Sequence, residues 1–520
     1  MNKDLYRVIF NKKRGMQMVV ADIAKTPTGH EKSTSGLGQT LSKSVLATLK
    51  PVTLLMSISF GFVTLSLPAH GSQIIADPQA KKTQQAQVIQ AANGVTQVNI
   101  QTPNKKGLSH NKYKQFDVSQ RGVILNNSGK ITQTQIGGYV QGNEYLKTGS
   151  AKIILNEVNS RNPSQLNGVI EVAGQKAQVI IANPSGISCH GCGFINADRS
   201  TLTTGKPIID NGELTGYQVE QGHISVAGKG LDSTGQSYTD LIARSVSINS
   251  AVWANDLNVV TGRNKVSRNA QTITPLAEDN SPKPEVALDV SALGGMYAGK
   301  IQMVGTEKGV GVRNAGELGS SKGHFSLTTE GKIVNTGTWV SQGNMTVKAK
   351  GRITNAGSIG SQAGLQVSTT GQVSNSGKIL SKENLTLKAT DNIRNAGVIN
   401  SQTNLQINTG GDLNNSGNIQ AHGDIALGSD KTFKQEGRIL SKKNIVVTAN
   451  DIVQTESGLM ASGVTADGEV PLGGDLTLRA AQHMHLHGAV QATKNAIISA
   501  KAIDGQGLKL SSDTLTLNAR

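Results

Sequence analysis

The chain has 520 residues with only 3% aromatics, 60 glycines and 12 prolines, and a net charge of +16. That length exceeds one compact core, and the shortage of aromatics argues against several conventional ones. Residues 1–71 hold nine Lys/Arg and three Asp/Glu, a surplus of 9 − 3 = +6, and the remaining +10 is spread thinly over the rest. Without a dense basic run or interleaved aromatics, nucleic acid is not an expected partner.

The first element is an export signal. Leu54 to Leu67 reads LLMSISFGFVTLSL, too short for a comfortable membrane span and suited to a signal-peptide core. Lys43 and Lys50 precede it, and Ala69-His70-Gly71 follows as a small-x-small cleavage site. An uncleaved anchor is the alternative, but Pro68 and the polar sequence beyond it favour cleavage. An ordinary signal needs no section such as residues 1–25. That section, through Met1-Asn2-Lys3, Tyr6 to Phe10 and Val19-Val20-Ala21, resembles the extended signal region of very large exported proteins of Gram-negative bacteria. The expected route across the inner membrane is the Sec machinery.

Residues 90–265 are less periodic. They contain Gly107 to Tyr113, Gly122 to Ser128, Ile154 to Val158, Glu171 to Gly174, Ile181 to Ile187 and Cys189 to Asn196. Asn183-Pro184-Ser185-Gly186 is a strong β-turn string, with Pro at the second position and Gly available for positive φ. In this order the segments resemble the secretion domain of the filamentous-haemagglutinin family, the exported partners of two-partner secretion. The family's Asn-Pro-Asn-Gly-Ile motif falls on Asn183 to Ile187, with Ser185 replacing the second Asn. Its Asn-Pro-Asn-Leu motif falls on Asn143 to Leu146, where Glu144 and Tyr145 differ. The resemblance implies that both are tight turns serving folding and passage through an outer-membrane β-barrel transporter. Taken alone, the residues support equally a turn that only lets the domain fold.

From about Asn314 to Gly458 the chain repeats every 20 residues. Met345, Leu365, Leu385, Leu405, Ile425 and Ile445 form one column, and Val347, Val367, Leu387, Ile407, Leu427 and Val447 another two residues later. Further columns run through Ile353, Val373, Ile393, Leu413 and Phe433, and through Ile359, Ile379, Ile399, Ile419 and Ile439. Spacing by two is strand periodicity. Gly337, Gly357, Gly377, Gly397, Gly417 and Gly437 mark turns, expected to use positive φ. Asn335, Asn355, Asn375, Asn395 and Asn415 stand two places before the glycines from Gly337 to Gly417 and suggest a side-chain amide ladder.

Such a unit predicts an all-β fold, a right-handed parallel β-helix with about 20 residues per coil. A leucine-rich horseshoe would need a helical side, and no 3.6-residue pattern occurs within a unit. The expected organisation is an extended signal peptide at 1–71 (extension 1–25, signal proper 43–71), a secretion domain at 72–270, an irregular connection at 271–300, and haemagglutinin-type repeats at 301–520. Asp475 to Leu478 and Asp513 to Leu517 still look like coil strands, though the register is lost. A solenoid end normally needs a cap, and none is visible before Arg520, so the chain is expected to be the front of something longer.

Catalysis is not expected. Some parallel β-helices cleave polysaccharides with clustered carboxylates, but Asp391, Asp412, Asp424 and Asp451 share no column. No nucleophile elbow, phosphate loop or metal-ligand set is present, and no cofactor or metal is expected. His483, His485 and His487 would share one strand face, but the sequence identifies no partner ligand, so a solvent-facing row is the expectation. Two functions remain for the whole protein. One is an adhesin whose solenoid binds a receptor on a host cell. The other is the stalk of a contact-dependent growth inhibition toxin aimed at a neighbouring cell.

Cys189 and Cys192 are the only cysteines. A redox centre needs a βαβ context and a zinc site about four ligands. In an exported chain the pair reads as a structural disulfide closing a very small loop. The mature protein should weigh two hydrogens less than its reduced sequence and resist thiol labelling until a reductant is added. Quantitative labelling without reductant would exclude the bond.

Overall fold

The computed structural model describes residues 6–11, 16–21, 73–464 and 473–519. The signal core, its cleavage site and most of the 1–25 extension lie outside these residues. Within the extension, Tyr6–Asn11 and Met16–Ala21 pair antiparallel. From residue 73 onward the chain is a parallel β-solenoid of about 17 turns, near 21 residues per coil. Stacking at about 4.8 Å gives a rod roughly 80 Å long.

One coil shows the rule. Leu365–Thr369 buries alternate residues, as do Val373–Asn375 and the inner positions of Lys378–Ser381. Each strand pairs in register with its counterpart exactly one repeat away: Leu365 with Leu385, Val373 with Ile393, Ile379 with Ile399. The aliphatic columns therefore fuse into one continuous core. Burying a Leu or Ile is worth about 1.5–3 kcal/mol, but a lone coil leaves its upper and lower faces wet. Most of that gain arrives only with the next coil.

The polar columns have their own logic. Asn314 donates to Asn335, and the chain of amides continues through Asn355, Asn375, Asn395 and Asn415 to Gln435, each bond 2.7–2.9 Å long. These residues are 0–1% exposed. The ladder thus begins one coil earlier than the 20-residue spacing indicates. A second inward column was not singled out from sequence. Ser361, Ser381, Ser401 and Ser441 each donate to a carbonyl in the turn of the preceding coil, at 2.7–2.9 Å.

The glycine column has a different cause from the one expected. None of Gly337, Gly357, Gly377, Gly397, Gly417 and Gly437 has a positive φ. A Cβ at Gly377 would instead fall inside contact distance of the Gly357 carbonyl oxygen, and the same holds up and down the column. Glycine is required because consecutive turns nest backbone on backbone.

The secretion block at 90–265, less periodic in sequence, belongs to the same stack. Leu108–Phe116 pairs with Ile153–Val158, which pairs with Ala177–Ala182. Its coils differ in length because outer elements are inserted. An antiparallel sheet of Lys206–Asp210, Glu213–Val219, Asn264–Ser267 and Ile273–Pro275 packs Leu214, Tyr217 and Val266 on Leu155, Ile180 and Val260. Ile74–Ala76 runs antiparallel to Leu108–Phe116, and Gln87–Gln90 to Thr96–Asn99. These reversed strands cover the first sheet edge, the end that would otherwise template association.

Of the stretch 271–300, expected to be an irregular connection, the part from Val286 on belongs to the solenoid, Ile273–Pro275 belongs to the outer antiparallel sheet, and residues 276–285 carry no strand. Val286–Val290 pairs with Ser245–Ile248 and Gly311–Asn314, and Gly295–Ala298 with Ala251–Thr261 and Glu317–Ser320. Strands this short carry little signal of their own, and neighbouring coils supply their pairing. Register is also kept after 458: Ile445 faces Leu476, which faces Ala496.

Asn375→Ala should leave the Asn395 side-chain oxygen without a donor, cost the Asn355 amide its 2.7 Å bond, and destabilise by about 1–3 kcal/mol. Exposed Gln366→Ala should stay within about 0.5 kcal/mol. Gly377→Ala should be at least as damaging as the Asn375 change. Chemical denaturation of the three variants measures the ranking, and equal midpoints would refute it.

Candidate functional site

Asn143 begins a single 3-10 turn, Glu144–Leu146. Its side-chain oxygen accepts from the Tyr145 amide at 3.0 Å, and its NH2 donates to the carbonyls of Ile100 at 2.8 Å and Asn126 at 3.0 Å. Asn143 is 2% exposed and Leu146 6%, whereas Glu144 and Tyr145 face solvent. The two positions that depart from the motif are those that touch least. The two that match hold the turn to the first coils.

Asn183 works in the same way. Its oxygen accepts from the Ser185 amide at 2.9 Å, and its NH2 donates to the Asn162 carbonyl at 2.9 Å and Ser164 Oγ at 3.0 Å. The Asn183 carbonyl accepts from the Gly186 amide at 3.0 Å, closing the β-turn around Pro184. Gly186 has φ +118°, a conformation L side chains rarely adopt. Ser185 takes the place of the second Asn by donating its Oγ to the Ser160 carbonyl at 3.1 Å. Ile187 returns to the core at 3% exposure.

Both turns thus use one device. An asparagine closes a local turn with its oxygen and fastens it to other segments with its amide. Such local bonding is what Asn offers and an aliphatic residue cannot.

Cys189 and Cys192 are bonded, with Cα atoms 5.3 Å apart, and both are buried. They end Ile187–Cys189 and begin Cys192–Ile195, so the bridge clamps the corner directly after the Asn183 turn.

Sequence reasoning missed a buried polar cluster nearby. Arg199 makes a two-pronged ion pair with Asp240 at 2.7 and 2.9 Å, and Thr201 and Asn258 also donate to that carboxylate at 2.9 and 2.8 Å. Asp240 is fully buried and its oxygens are saturated. Arg199 and Asp240 lie 41 residues apart, so no local pattern announces them. At Glu157, burial pushes the carboxyl up, but the hydrogen bond and charge of His110 at 2.6 Å, with Lys112, hold it below its ordinary range.

Two of the four repeat-region carboxylates weighed for catalysis bond the next coil. Asp412 Oδ1 accepts from the Thr432 amide and Asp424 Oδ1 from the Asn444 amide, each one coil on. They lie in different columns and continue ladders in which Asn392 and Asn404 hold the preceding rung. The histidines do have an acidic neighbour that the sequence did not identify: Asp504 lies beside His485 and His487.

Three family models match the chain. Residues 72–335 match the family model of the TPS secretion domain, residues 1–50 that of the Extended Signal Peptide of Type V secretion system, and 366–417, 404–488 and 464–519 that of the haemagglutinin repeat. Toxin CdiA of Yersinia pestis is 57% identical over 337 residues, which are 65% of this chain and 10% of that protein. The tRNA nuclease CdiA-2 of Burkholderia pseudomallei is 43% identical over 342 residues, 65% of this chain and 11% of that one. A crystal structure of the filamentous hemagglutinin secretion domain is 34% identical, with a TM-score of 0.49, covering 55% of this chain and 95% of its own. The chain spans about a tenth of the length of the curated relatives it matches. The secretion-domain match covers residues 72–335, more than half of the chain. With an export signal before it and a β-solenoid among the described residues from 73 on, this chain belongs to the exoproteins of two-partner secretion, exported for release or display at the surface of Gram-negative cells.

Proposed function

We propose that this chain is the secretion leader and stalk of a contact-dependent growth inhibition protein, carrying a toxin supplied by sequence beyond its own. The N-terminal coils engage an outer-membrane β-barrel transporter in the periplasm, the chain crosses unfolded, and coils then add outside one on another. No coil can bury its aliphatic face alone, which favours this order of events. Catalysis by these residues plays no part.

The observation that carries the reading is where the polar groups go. Asn, Ser and Asp columns are committed to holding coil on coil, so the chain is built as a spacer. CdiA relatives at 57% and 43% identity support the toxin-carrier form. The haemagglutinin-repeat matches favour a second reading, in which the solenoid itself adheres to host cells. Sequencing beyond this chain in the same reading frame separates them: a variable C-terminal domain followed by a small immunity gene supports the carrier.

Two secretion experiments follow. Deleting the adjacent transporter gene should abolish surface appearance, and unchanged export would refute the reading. Within the chain, Asn183→Ala and Asn143→Ala should each lower secreted protein by about tenfold or more, since losing such a bond set costs about 1–3 kcal/mol in a marginal domain. Tyr145→Ala and Ser185→Asn should secrete normally. If purified Asn183→Ala folds with unchanged stability yet is not secreted, the turn is a recognition element; if both fail together, it acts through folding.

A further inference from the structure

The strand His483–Leu486 buries Met484 and Leu486 and turns His483 and His485 outward, with His487 following on the same side. One coil on, Ala502–Asp504 pairs with it in parallel, and Asp504 is the register partner of His485. His485 Nδ1 lies 3.3 Å from Asp504 Oδ2, and His487 Nε2 lies 3.8 Å from the same oxygen. One ligand atom from each of the three residues falls within 4.8 Å of the others.

The surrounding bonds orient these groups. His487 Nδ1 is 2.6 Å from the Gln506 carbonyl oxygen, which can only accept. Nδ1 therefore donates, and Nε2 is the ring nitrogen that faces Asp504. Asp504 is held through its other oxygen, which accepts the Gln506 amide at 3.1 Å. Nε2 thus faces a carboxylate oxygen, and either a proton or a metal ion between the two satisfies both. Fixing a ligand histidine by a carbonyl on its far nitrogen is a common outer-sphere feature of metal sites. His483 is not involved: it pairs with Asp451 of the preceding coil at 3.1 Å.

We propose that His485, His487 and Asp504 bind one divalent first-row transition-metal ion, zinc foremost, linking two successive coils. Two imidazoles and a carboxylate suit Zn²⁺, Co²⁺ or Ni²⁺ and are poor hosts for Mg²⁺ or Ca²⁺. Bonds of about 2.0–2.1 Å to nitrogen require the three side chains to close by rotation, which their partial exposure of 32–48% permits. Three protein ligands leave at least one position for water or an external donor. The ion would stiffen the coil pair as any ligand of the folded state does.

The test uses the secreted chain without an affinity tag, stripped with a chelator and titrated with ZnCl₂ by calorimetry, with Co²⁺ absorption as a second readout. One equivalent should bind, and Co²⁺ should give a visible band of a nitrogen-ligated site. His487→Ala and Asp504→Asn should each weaken binding by at least about tenfold, while His483→Ala should not change it. Each variant is checked for unchanged strand content by circular dichroism. Should a variant misfold, His485→Gln, which keeps a polar side chain on the exposed face of the strand, replaces it and should also weaken binding. Absence of saturable binding, or affinity unaffected by these changes, would mean that the cluster is a proton-bridged surface ion pair and would overturn the proposal.

Discussion

The structure depends on one constraint: each coil must lie directly over the last at the spacing of a β-ladder. At about 4.8 Å, like residues are forced into contact with like. Leucine over leucine is favourable, asparagine over asparagine is favourable when each amide donates to the next, and glycine over glycine is unavoidable where turns nest. The 20-residue repeat is the imprint of that requirement. Its consequence is a core with no centre, extended along an axis and stable only as a stack.

A stack has ends, and the first end here is built differently. Antiparallel strands at Ile74–Ala76 and Gln87–Gln90 close the initial edge. The turns headed by Asn143 and Asn183, the Cys189–Cys192 bridge and the Arg199–Asp240 pair all lie within the early coils. Apart from the bridge, these interactions join segments tens of residues apart. Later coils need none of this, because each finds a finished template beside it. Irregularity is concentrated where no template exists.

The aliphatic columns and the amide ladder from Asn335 to Asn415 were legible because a fixed period makes each residue's neighbour countable. The glycines were legible as turns, but the reason was not: backbone nesting between coils replaces positive φ, and only coordinates distinguish the two. The Asn143 turn was visible only by resemblance. Its identity rests on Asn143 and Leu146, whose partners lie as far away as Ile100. Asp504 escaped because its offset from His485 is 19 residues, off the period, in a part where coil lengths vary. Of the stretch 271–300, the coil strands from Val286 on were missed since such short strands borrow their order from neighbours.

By itself, the sequence determined the class of fold, the export route and the family, since periodicity, an apolar signal and ordered short motifs are properties of the linear chain. The tertiary structure decided which carbonyl each buried amide meets, why the turn glycines cannot be replaced, and which carboxylate stands beside the histidines. Those outcomes depend on what lies one coil above or below, and where insertions change coil length that neighbour cannot be counted along the chain.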